Sequence, residues 1–335
     1  MGPGFESLMV YQACPPTVTY DTRRVFSYGE ETMIFCAGEI LVDMMPAEEK
    51  NVYEMKAGGA PFNVACAVKA LGCKAGFAGC AGADIPGDFL AETAEEKQFD
   101  CLLLARNKKR ATTLSFVSHG ENGERTFCFY GSGTADTRMP KIKKDVLMAS
   151  DIIVIGSLML REKCGVKYAA ALAKRAKEAG KAVAFDVNYR ESLFKNRRAA
   201  ADAFGQIITH ADIVKFSEDE AVMFGSPYIG RNSEKLICVT MGEKGSKWYF
   251  RGKTATVPVK AVVPADTTGA GDVFFAAVLS KLDGVSKSTW SDEFLNDALL
   301  FGNCAGALNT LGKGAIDFLP SLRQIEELKK TIEKN

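Results

Sequence analysis

Short apolar runs rich in β-branched and aliphatic residues alternate along this chain with longer segments of helical periodicity. The predicted strands are residues 33–43, 151–156, 182–188, 211–217 and 236–241. The predicted helices are residues 61–71, 87–98, 166–179, 199–210, 270–282 and 292–311, followed by a polar amphipathic helix near the C-terminus. Apolar strands separated by helices are typical of a parallel sheet covered on both faces. The alternation therefore predicts an α/β fold, a three-layer α/β/α doubly wound sandwich.

The region around residue 120 interrupts this alternation. Residues 112–118 and 125–130 flank the sequence GENGE at 120–124, as two strands flank a hairpin turn. Together with residues 52–56 they predict a small β-sheet lid beside the main body, with lid segments at about 44–57 and 110–131. A surface hairpin without a functional role is the alternative that the pattern leaves open.

The N-terminal residues 1–30 show neither helical nor strand periodicity. They are predicted to be an extension, either disordered or left over from cloning, and are set aside from the functional argument. The remaining residues, 31–330, are predicted to form the folded domain.

The composition excludes several classes of partner. The 42 Lys and Arg residues nearly balance the 41 Asp and Glu residues, so no global field attracts nucleic acid or an anionic membrane. No apolar stretch is long enough to cross a bilayer, and no signal peptide is predicted. The ten cysteines form no C-x-x-C pair, which argues against zinc and redox motifs and favours a reducing cytoplasm. The two histidines, His119 and His210, lack metal-ligand spacing and are interpreted as structural.

The sequence DTTGAGD at 266–272 runs directly into an apolar helical segment. Gly269 and Gly271 allow a ligand to approach the backbone, and the first helical turn offers free N–H groups and the positive end of the dipole. This arrangement predicts a cradle for a phosphoryl group, with Asp272 placed beside it to accept the proton of an attacking hydroxyl. The dipole is expected to favour the charged form of Asp272 and to make it a weak base. In the alternative interpretation Asp272 only caps the helix.

A second glycine-rich segment, GGAPFNVA at 58–65, begins another predicted helix. Pro61 suits a first helical turn, and Asn63 offers both a donor and an acceptor to the hydroxyl groups of a polyol. An ordinary tight turn into a helix explains this segment equally well. The chain has neither G-x4-G-K-[ST] nor a strand-linked G-x-G-x-x-G, so P-loop and dinucleotide-binding interpretations lose support.

Taken together, the two glycine segments resemble the signatures of the PfkB, or ribokinase-like, carbohydrate kinases. Residues 58–72, GGAPFNVACAVKALG, are similar to the N-terminal signature of that family, and DTTGAGD is similar to the C-terminal one. The resemblance covers about residues 33–325 and implies a ribokinase-like fold and ATP-dependent transfer of phosphate to a sugar hydroxyl. It implies that Asp272 is the general base and that the amides of Gly269, Ala270 and Gly271 form the anion hole.

Further roles follow from the same resemblance. Contacts with the sugar are implied for Asp43, Gly58, Gly59, Asn63, Tyr130 and Arg190, and contacts with the nucleotide for Asn188, Thr240, Gly242, Gly245 and Asn303. Mg²⁺ is the implied partner of ATP, with Glu220 organising it through water, and a monovalent cation such as K⁺ is implied near Asp266. The family's N-x-x-E stretch reads SEDE at 217–220, so Ser217 departs from the pattern. For Asp43 and Arg190 a surface salt bridge is the alternative.

The choice of sugar depends on finer similarity. The order of GEILVD at 38–43, GGAPFNVA and DVNYR at 186–190 is most similar to fructokinases, with 2-keto-3-deoxygluconate kinases next. An acid sugar requires an additional cation, but Gly131 stands where those kinases commonly carry Arg, which favours fructose. A nucleoside kinase and a catalytically silent sugar or nucleotide sensor are the remaining alternatives. A homodimer through the lid is a further expectation.

Overall fold

Thirteen strands and nine α-helices are found in the computed structural model, which describes residues 33–119, 125–231 and 233–333. The strands are β1 (Met33–Ala37), β2 (Leu41–Pro46), β3 (Tyr53–Gly58), β4 (Ala75–Gly82), β5 (Cys101–Asn107), β6 (Leu114–His119), β7 (Arg125–Tyr130), β8 (Ser150–Ile155), β9 (Ala182–Asp186), β10 (Ile213–Ser217), β11 (Leu236–Thr240), β12 (Ser246–Phe250) and β13 (Lys253–Val257). The helices are α1 (Ala60–Ala70), α2 (Ile85–Glu96), α3 (Lys144–Met148), α4 (Lys163–Glu178), α5 (Arg197–Ile208), α6 (Glu218–Glu220), α7 (Ala270–Leu282), α8 (Asp292–Asn309) and α9 (Leu322–Glu333). None of the described helices is both long and apolar enough to span a lipid bilayer.

The main sheet runs in the order β13-β12-β11-β10-β9-β8-β1-β4-β5. Its strands pair in parallel except at one edge, where β11, β12 and β13 are antiparallel. One apolar core, which includes Phe62 and Phe275, lies on the face covered by α1, α7 and α8, and a second, which includes Phe204, lies on the face covered by α4 and α5. The predicted three-layer sandwich is thus confirmed.

The position of β1 in this order fixes where a ligand can bind. The chain continues from β1 to β4 on one side of it and later returns to β8 on the other. The connections that follow β1 and β8 therefore diverge, and they leave a crevice at the carboxyl ends of the parallel strands, where open α/β sheets bind their ligands.

A second sheet of four strands, the small sheet, has the order β3-β2-β6-β7. Strands β2 and β6 are parallel, and the other two pairs are antiparallel. The prediction of a separate small sheet is confirmed, whereas its role as a lid stays a prediction. The predicted extension at 1–30 and the turn at 120–124 lie outside the described residues.

The prediction of one strand over residues 33–43 was wrong, because β1 belongs to the main sheet and β2 to the small sheet. The chain bends between them at Gly38, where the backbone packs closely against two neighbours. A Cβ at this position would lie 2.6 Å from the side chain of Pro61 and 2.9 Å from Cα of Gly156. This contact joins the ends of β1 and β8 to the start of α1, beside the crevice.

Candidate active site

A cavity of about 650 Å³ occupies this crevice, between the main sheet, the small sheet and the start of α7. Its lining residues are Leu41, Asp43, Gly59, Ala60, Asn63, Phe127, Phe129, Leu158, Asn188, Arg190, Lys215, Thr267, Thr268, Gly269, Gly271 and Asp272. The structure thus brings both glycine-rich segments, which are some two hundred residues apart in sequence, to one site.

A glycine turn leads into α7 at the position where DTTGAGD predicts the phosphoryl cradle. Gly269 precedes the helix in the left-handed conformation, with φ of 80°, and no side chain caps the first turn. Gly269 and Gly271 line the cavity, whereas the amide of Ala270 donates to the carbonyl of Thr267 at 3.3 Å. Asp266 holds the approach to the helix, because its carboxylate accepts from the amide of Thr268 at 2.7 Å and from that of Gly314 at 2.8 Å. Free amides at a helix N-terminus form an anion site.

Asp272 lies beside the cradle and faces the cavity. Its Oδ2 accepts a hydrogen bond of 2.8 Å from Nδ2 of Asn63. Although the side chain keeps some exposure toward the cavity, desolvation and then the charge of Asp186 raise its pKa to about 6, against the opposing effects of Lys215, Asn63 and Arg190. The expectation of a weak base is therefore corrected: desolvation and the charge of Asp186 make this carboxylate a stronger base than an exposed aspartate.

A buried ion pair forms the floor of the site. Nζ of Lys215 lies 2.9 and 2.8 Å from the two carboxylate oxygens of Asp186, and the two side chains are 8% and 5% exposed. Burial alone would lower the pKa of Lys215, but the carboxylates of Asp186, Glu220 and Asp272 raise it, so the ammonium stays charged. Sequence reasoning missed Lys215; the available signal was a lysine inside an otherwise apolar strand.

Several polar groups that the sequence predicts to contact the sugar line the same cavity. Asp43, Gly59, Asn63 and Arg190 line the cavity together, as the resemblance implies. Oδ1 of Asn63 is buried and has no hydrogen-bond partner in the structure, so it can accept from a ligand hydroxyl. Gly58 lies outside the lining, but a side chain there would collide with the carboxylate of Asp43.

The position of Tyr130 differs from the expectation. Side chains alternate between the two faces of β7, and the structure places Phe127 and Phe129 toward the cavity and Tyr130 away from it. Tyr130 is 63% exposed and packs edge-on against Phe116 on the outer face of the small sheet. The two phenylalanine rings, stacked at 6.2 Å, therefore replace Tyr130 as the aromatic wall of the cavity.

The residues expected near the nucleotide are placed outside the cavity lining, with the exception of Asn188. Asn188 adopts a left-handed backbone with φ of 34°. Thr240, Gly242 and Gly245 lie in the turn that joins β11 to β12. Nδ2 of Asn303 donates to the carbonyls of Val257 and Pro258, both at 3.0 Å, and thus fixes the segment that follows β13.

Glu220 is held by the backbone. Its two carboxylate oxygens accept from the amides of Tyr189, at 2.6 Å, and Ser217, at 2.8 Å, and the Ser217 hydroxyl accepts from the Glu220 amide in return. Ser217 and Glu220 thus form a capping box at the start of α6. This is the structural role of the serine that stands where the family pattern has asparagine. No group of three or more His, Cys, Asp or Glu side chains suited to a metal ion occurs in the described parts of the chain.

Comparisons with known proteins give one consistent result. A family model described as pfkB family carbohydrate kinase matches residues 31–322. The chain is 34% identical over 321 residues to probable fructokinase-5 of Arabidopsis thaliana, covering 90% of this chain and 98% of that protein. It is 33% identical over 323 residues to fructokinase-1 of Oryza sativa subsp. japonica, with the same coverage of 90% and 98%.

Solved structures agree with this result. The fructokinase of Xylella fastidiosa with bound ATP superposes with a TM-score of 0.80 at 27% identity, covering 90% of this chain and 99% of the other. The fructokinase of Vibrio cholerae O395 in a form with bound fructose, ADP and calcium ion gives a TM-score of 0.75 at 28% identity, covering 89% and 98%.

Proposed function

The chain belongs to the pfkB family of carbohydrate kinases, and we propose that it is a fructokinase, which transfers the γ-phosphoryl group of ATP to the primary hydroxyl that yields fructose 6-phosphate. One observation carries the proposal: a carboxylate, an amide cradle and a set of sugar-facing polar groups line the same cavity. Relatives and structural neighbours that are named fructokinases support the choice of fructose.

The reaction requires few parts from the protein. As the sugar oxygen forms its bond to the γ-phosphorus, its proton passes to the Asp272 carboxylate, and the bond from phosphorus to the bridging oxygen of ADP breaks. The amides of Gly269, Ala270 and Gly271 bind the charge on the phosphoryl oxygens, while Asn63 holds Asp272 in place at 2.8 Å. A loose phosphoryl-transfer transition state depends mainly on such positioning.

The sugar end of the cavity suits a neutral polyol. Asp43 and the free Oδ1 of Asn63 accept from hydroxyl groups, and Phe127 and Phe129 cover the apolar face of the ring. Arg190 lies beside Phe127, with its guanidinium carbon 6.0 Å from the ring centroid. Gly131, at the position considered for an acid-sugar cation, packs close to Leu193 and Thr113. These features favour fructose over 2-keto-3-deoxygluconate.

Mg²⁺ and K⁺ belong to the same proposal. Because both oxygens of Glu220 already accept backbone amides, we propose that Glu220 would hold Mg²⁺ through water rather than directly. When bound, the ion neutralises phosphate charge. Asp266 remains the proposed neighbour of a monovalent cation. We also propose that the nucleotide extends outside the cavity and contacts Thr240, Gly242, Gly245 and Asn303. Asn188 then contacts it at the boundary of the cavity.

A homodimer through the small sheet is proposed as well, with that sheet acting as the lid. Tyr53 and Tyr130 are 43% and 63% exposed on the outer face, where both rings contact Phe116. Exposed aromatic rings beside free strand edges suit a contact with a second copy. Light scattering tests this proposal, and a monomer at all concentrations would contradict it. The scattered thiols support a reducing compartment, and we propose the cytoplasm.

A coupled assay of ADP release over several acceptors tests the function. Fructose, ribose, tagatose, 2-keto-3-deoxygluconate and adenosine are compared at equal concentration, and we expect fructose to give the highest kcat/KM. Stimulation by adenosine alone would identify a nucleoside kinase. If none of these acceptors stimulates ADP release, the result would favour the silent sensor and contradict the proposal.

A further inference from the structure

Lys215 brings a buried positive charge to the floor of the cavity. It lies on β10 opposite Asp186 of β9, and its Nζ donates to both carboxylate oxygens of that residue, at 2.9 and 2.8 Å. An ammonium group has three N–H donors, so one remains after these two bonds. The described residues contain no further hydrogen-bond acceptor for it.

The ammonium also lies against the phosphoryl cradle. A Cβ added to Gly271 would stand 3.3 Å from Nζ and 3.5 Å from Cε of Lys215. Gly271 belongs to the first turn of α7, and it lines the cavity together with Lys215 and Asp272. Glycine at 271 therefore leaves the ammonium group uncovered next to the anion site.

The surrounding charges indicate what the ammonium is for. The carboxylates of Asp186, Glu220 and Asp272 act on Lys215, whereas Arg190 acts on Asp272 from elsewhere in the cavity. Because Asp272 lines the cavity, its carboxylate repels a phosphoryl group that arrives beside it unless a cation also lies there. A gain in stability does not by itself explain the pair, because apolar residues of similar volume are often as stabilising as a buried ion pair.

We propose that the third N–H of Lys215 donates to an oxygen of the γ-phosphoryl group during its transfer, so that Lys215 is a catalytic residue. Asp186 is then a positioning residue, which holds the ammonium in place before the substrate binds. The proposal deepens the kinase function proposed above and rests on it.

Steady-state kinetics of paired variants test this role. Lys215→Met alone leaves Asp186 buried without a partner, so the main variant combines Lys215→Met with Asp186→Asn. We expect its kcat to fall about 100-fold, as for the loss of one donor to a transition-state oxyanion, while the KM for fructose changes less than about threefold. Lys215→Arg keeps the cation but displaces its donors, and we expect an intermediate kcat.

The matched control removes a second Lys–Asp pair. Nζ of Lys177 lies 2.7 Å from Oδ1 of Asp212, which precedes β10, and neither residue lines the cavity. Lys177→Met combined with Asp212→Asn should therefore keep the wild-type kcat.

A second measurement reports on the phosphoryl contact itself. Aluminium fluoride with ADP, Mg²⁺ and fructose forms a mimic of the transferring phosphoryl group, so it should tighten ADP binding to the wild type. In the Lys215→Met/Asp186→Asn variant we expect unchanged binding of ADP alone and at least about tenfold less tightening. If both Lys215 variants keep the wild-type kcat and full tightening, the inference is overturned. A wild type that phosphorylates no acceptor overturns the proposed function instead, and the inference with it.

Discussion

The amide of Asn63 and the carboxylate of Asp272 meet across 2.8 Å, although 209 residues separate them in the sequence. The contact joins the first turn of α1 to the first turn of α7. It lowers the pKa of Asp272, against the desolvation that raises this pKa to about 6. One hydrogen bond thus holds the proposed base in position and partly offsets the rise in its pKa.

Replacement of the base should abolish turnover without disturbing the fold. Asp272→Asn removes the proton acceptor but keeps the shape, so we expect kcat to fall by about 10²–10⁴, with the Kd for ATP changed less than about twofold. The control is Asp283→Asn, at the other end of α7, where desolvation also raises the carboxyl pKa to about 6. Steady-state kinetics should separate the two. A near-normal kcat in Asp272→Asn would show that the base is assigned incorrectly.

The decrease of kcat/KM on the acid side of its pH profile, the acid limb, should report the protonation of Asp272. Because the reaction needs the carboxylate form and the pKa is about 6, kcat/KM should fall as the pH drops through that value. Asn63→Ala removes a hydrogen bond to the charged form, so the limb should move to higher pH. Asn196→Ala, which removes the cap of α5 instead, should leave the limb in place. A profile that is flat across this range would argue against Asp272 as the titrating group.

Buried Glu39 should make stability depend on pH. The residue is 0% exposed, and neither carboxylate oxygen has a hydrogen-bond partner of ordinary geometry among the residues that the structure describes. Desolvation therefore raises the pKa from 4.5 to about 8, an effect that nearby backbone amides only partly offset. Between these values the folded protein keeps a proton that the unfolded chain has lost. Stability is therefore highest below the lower value and falls as the pH rises through the upper one.

Glu39→Gln removes this loss. Compared with the wild type, its free energy of unfolding should be similar at about pH 5 and higher by a few kcal/mol at about pH 9. Urea denaturation at the two pH values measures the difference, and Glu218→Gln, at an exposed site, is the control. Parallel pH dependence in wild type and Glu39→Gln would contradict a protonated Glu39.

The two faces of β7 should differ in their effect on the sugar. Phe129→Ala removes part of the cavity wall, and we expect the KM for fructose to rise about tenfold, since full burial of such a side chain contributes about 1.5–3 kcal/mol. Tyr130→Ala, on the outer face, should leave this KM unchanged. Initial-rate kinetics at saturating ATP compare them. An equal effect of both substitutions would contradict the assignment of the inner face.

The glycine before α7 should tolerate no side chain. In Gly269→Ala a Cβ would lie 2.7 Å from Cα of Ala315, in addition to the cost of φ at 80°. Gly284→Ala is the control, because φ there is 68° but no atom lies within 4 Å of an added Cβ. We expect about 1 kcal/mol of destabilisation in the control, and in Gly269→Ala a larger one with a reduced kcat. Thermal unfolding and kinetics together decide between backbone strain and damage to the cradle.

Particular helices and strands show which parts of the fold could be predicted from the sequence. The helix at 270–282 was predicted with the bounds that α7 has, because an apolar run follows a glycine turn without ambiguity. Strand β4 was not predicted, since its sequence AGFAGCAG lacks β-branched residues, and it is a strand because it is buried between β1 and β5. Tertiary packing determines that this segment is a strand, and no local sequence pattern records that packing.

The site was predicted in part for similar reasons. Motifs located the cradle and Asp272, but the choice of Tyr130 over Phe129 depended on strand register, which a run of aromatic residues in FCFY does not reveal. Lys215 belongs to none of the motifs found in the sequence. It could be recognised only from the pairing of β9 with β10, which places it next to Asp186.

The small sheet draws its strands from two distant stretches of chain, β2 with β3 and β6 with β7. Each stretch leaves the main body and returns to it, so four backbone connections tether these strands. If a protease cleaved any one of these connections, both strand pairs would still be joined to the main body. With tethers from both stretches, the sheet cannot swing away as a flap held at one end.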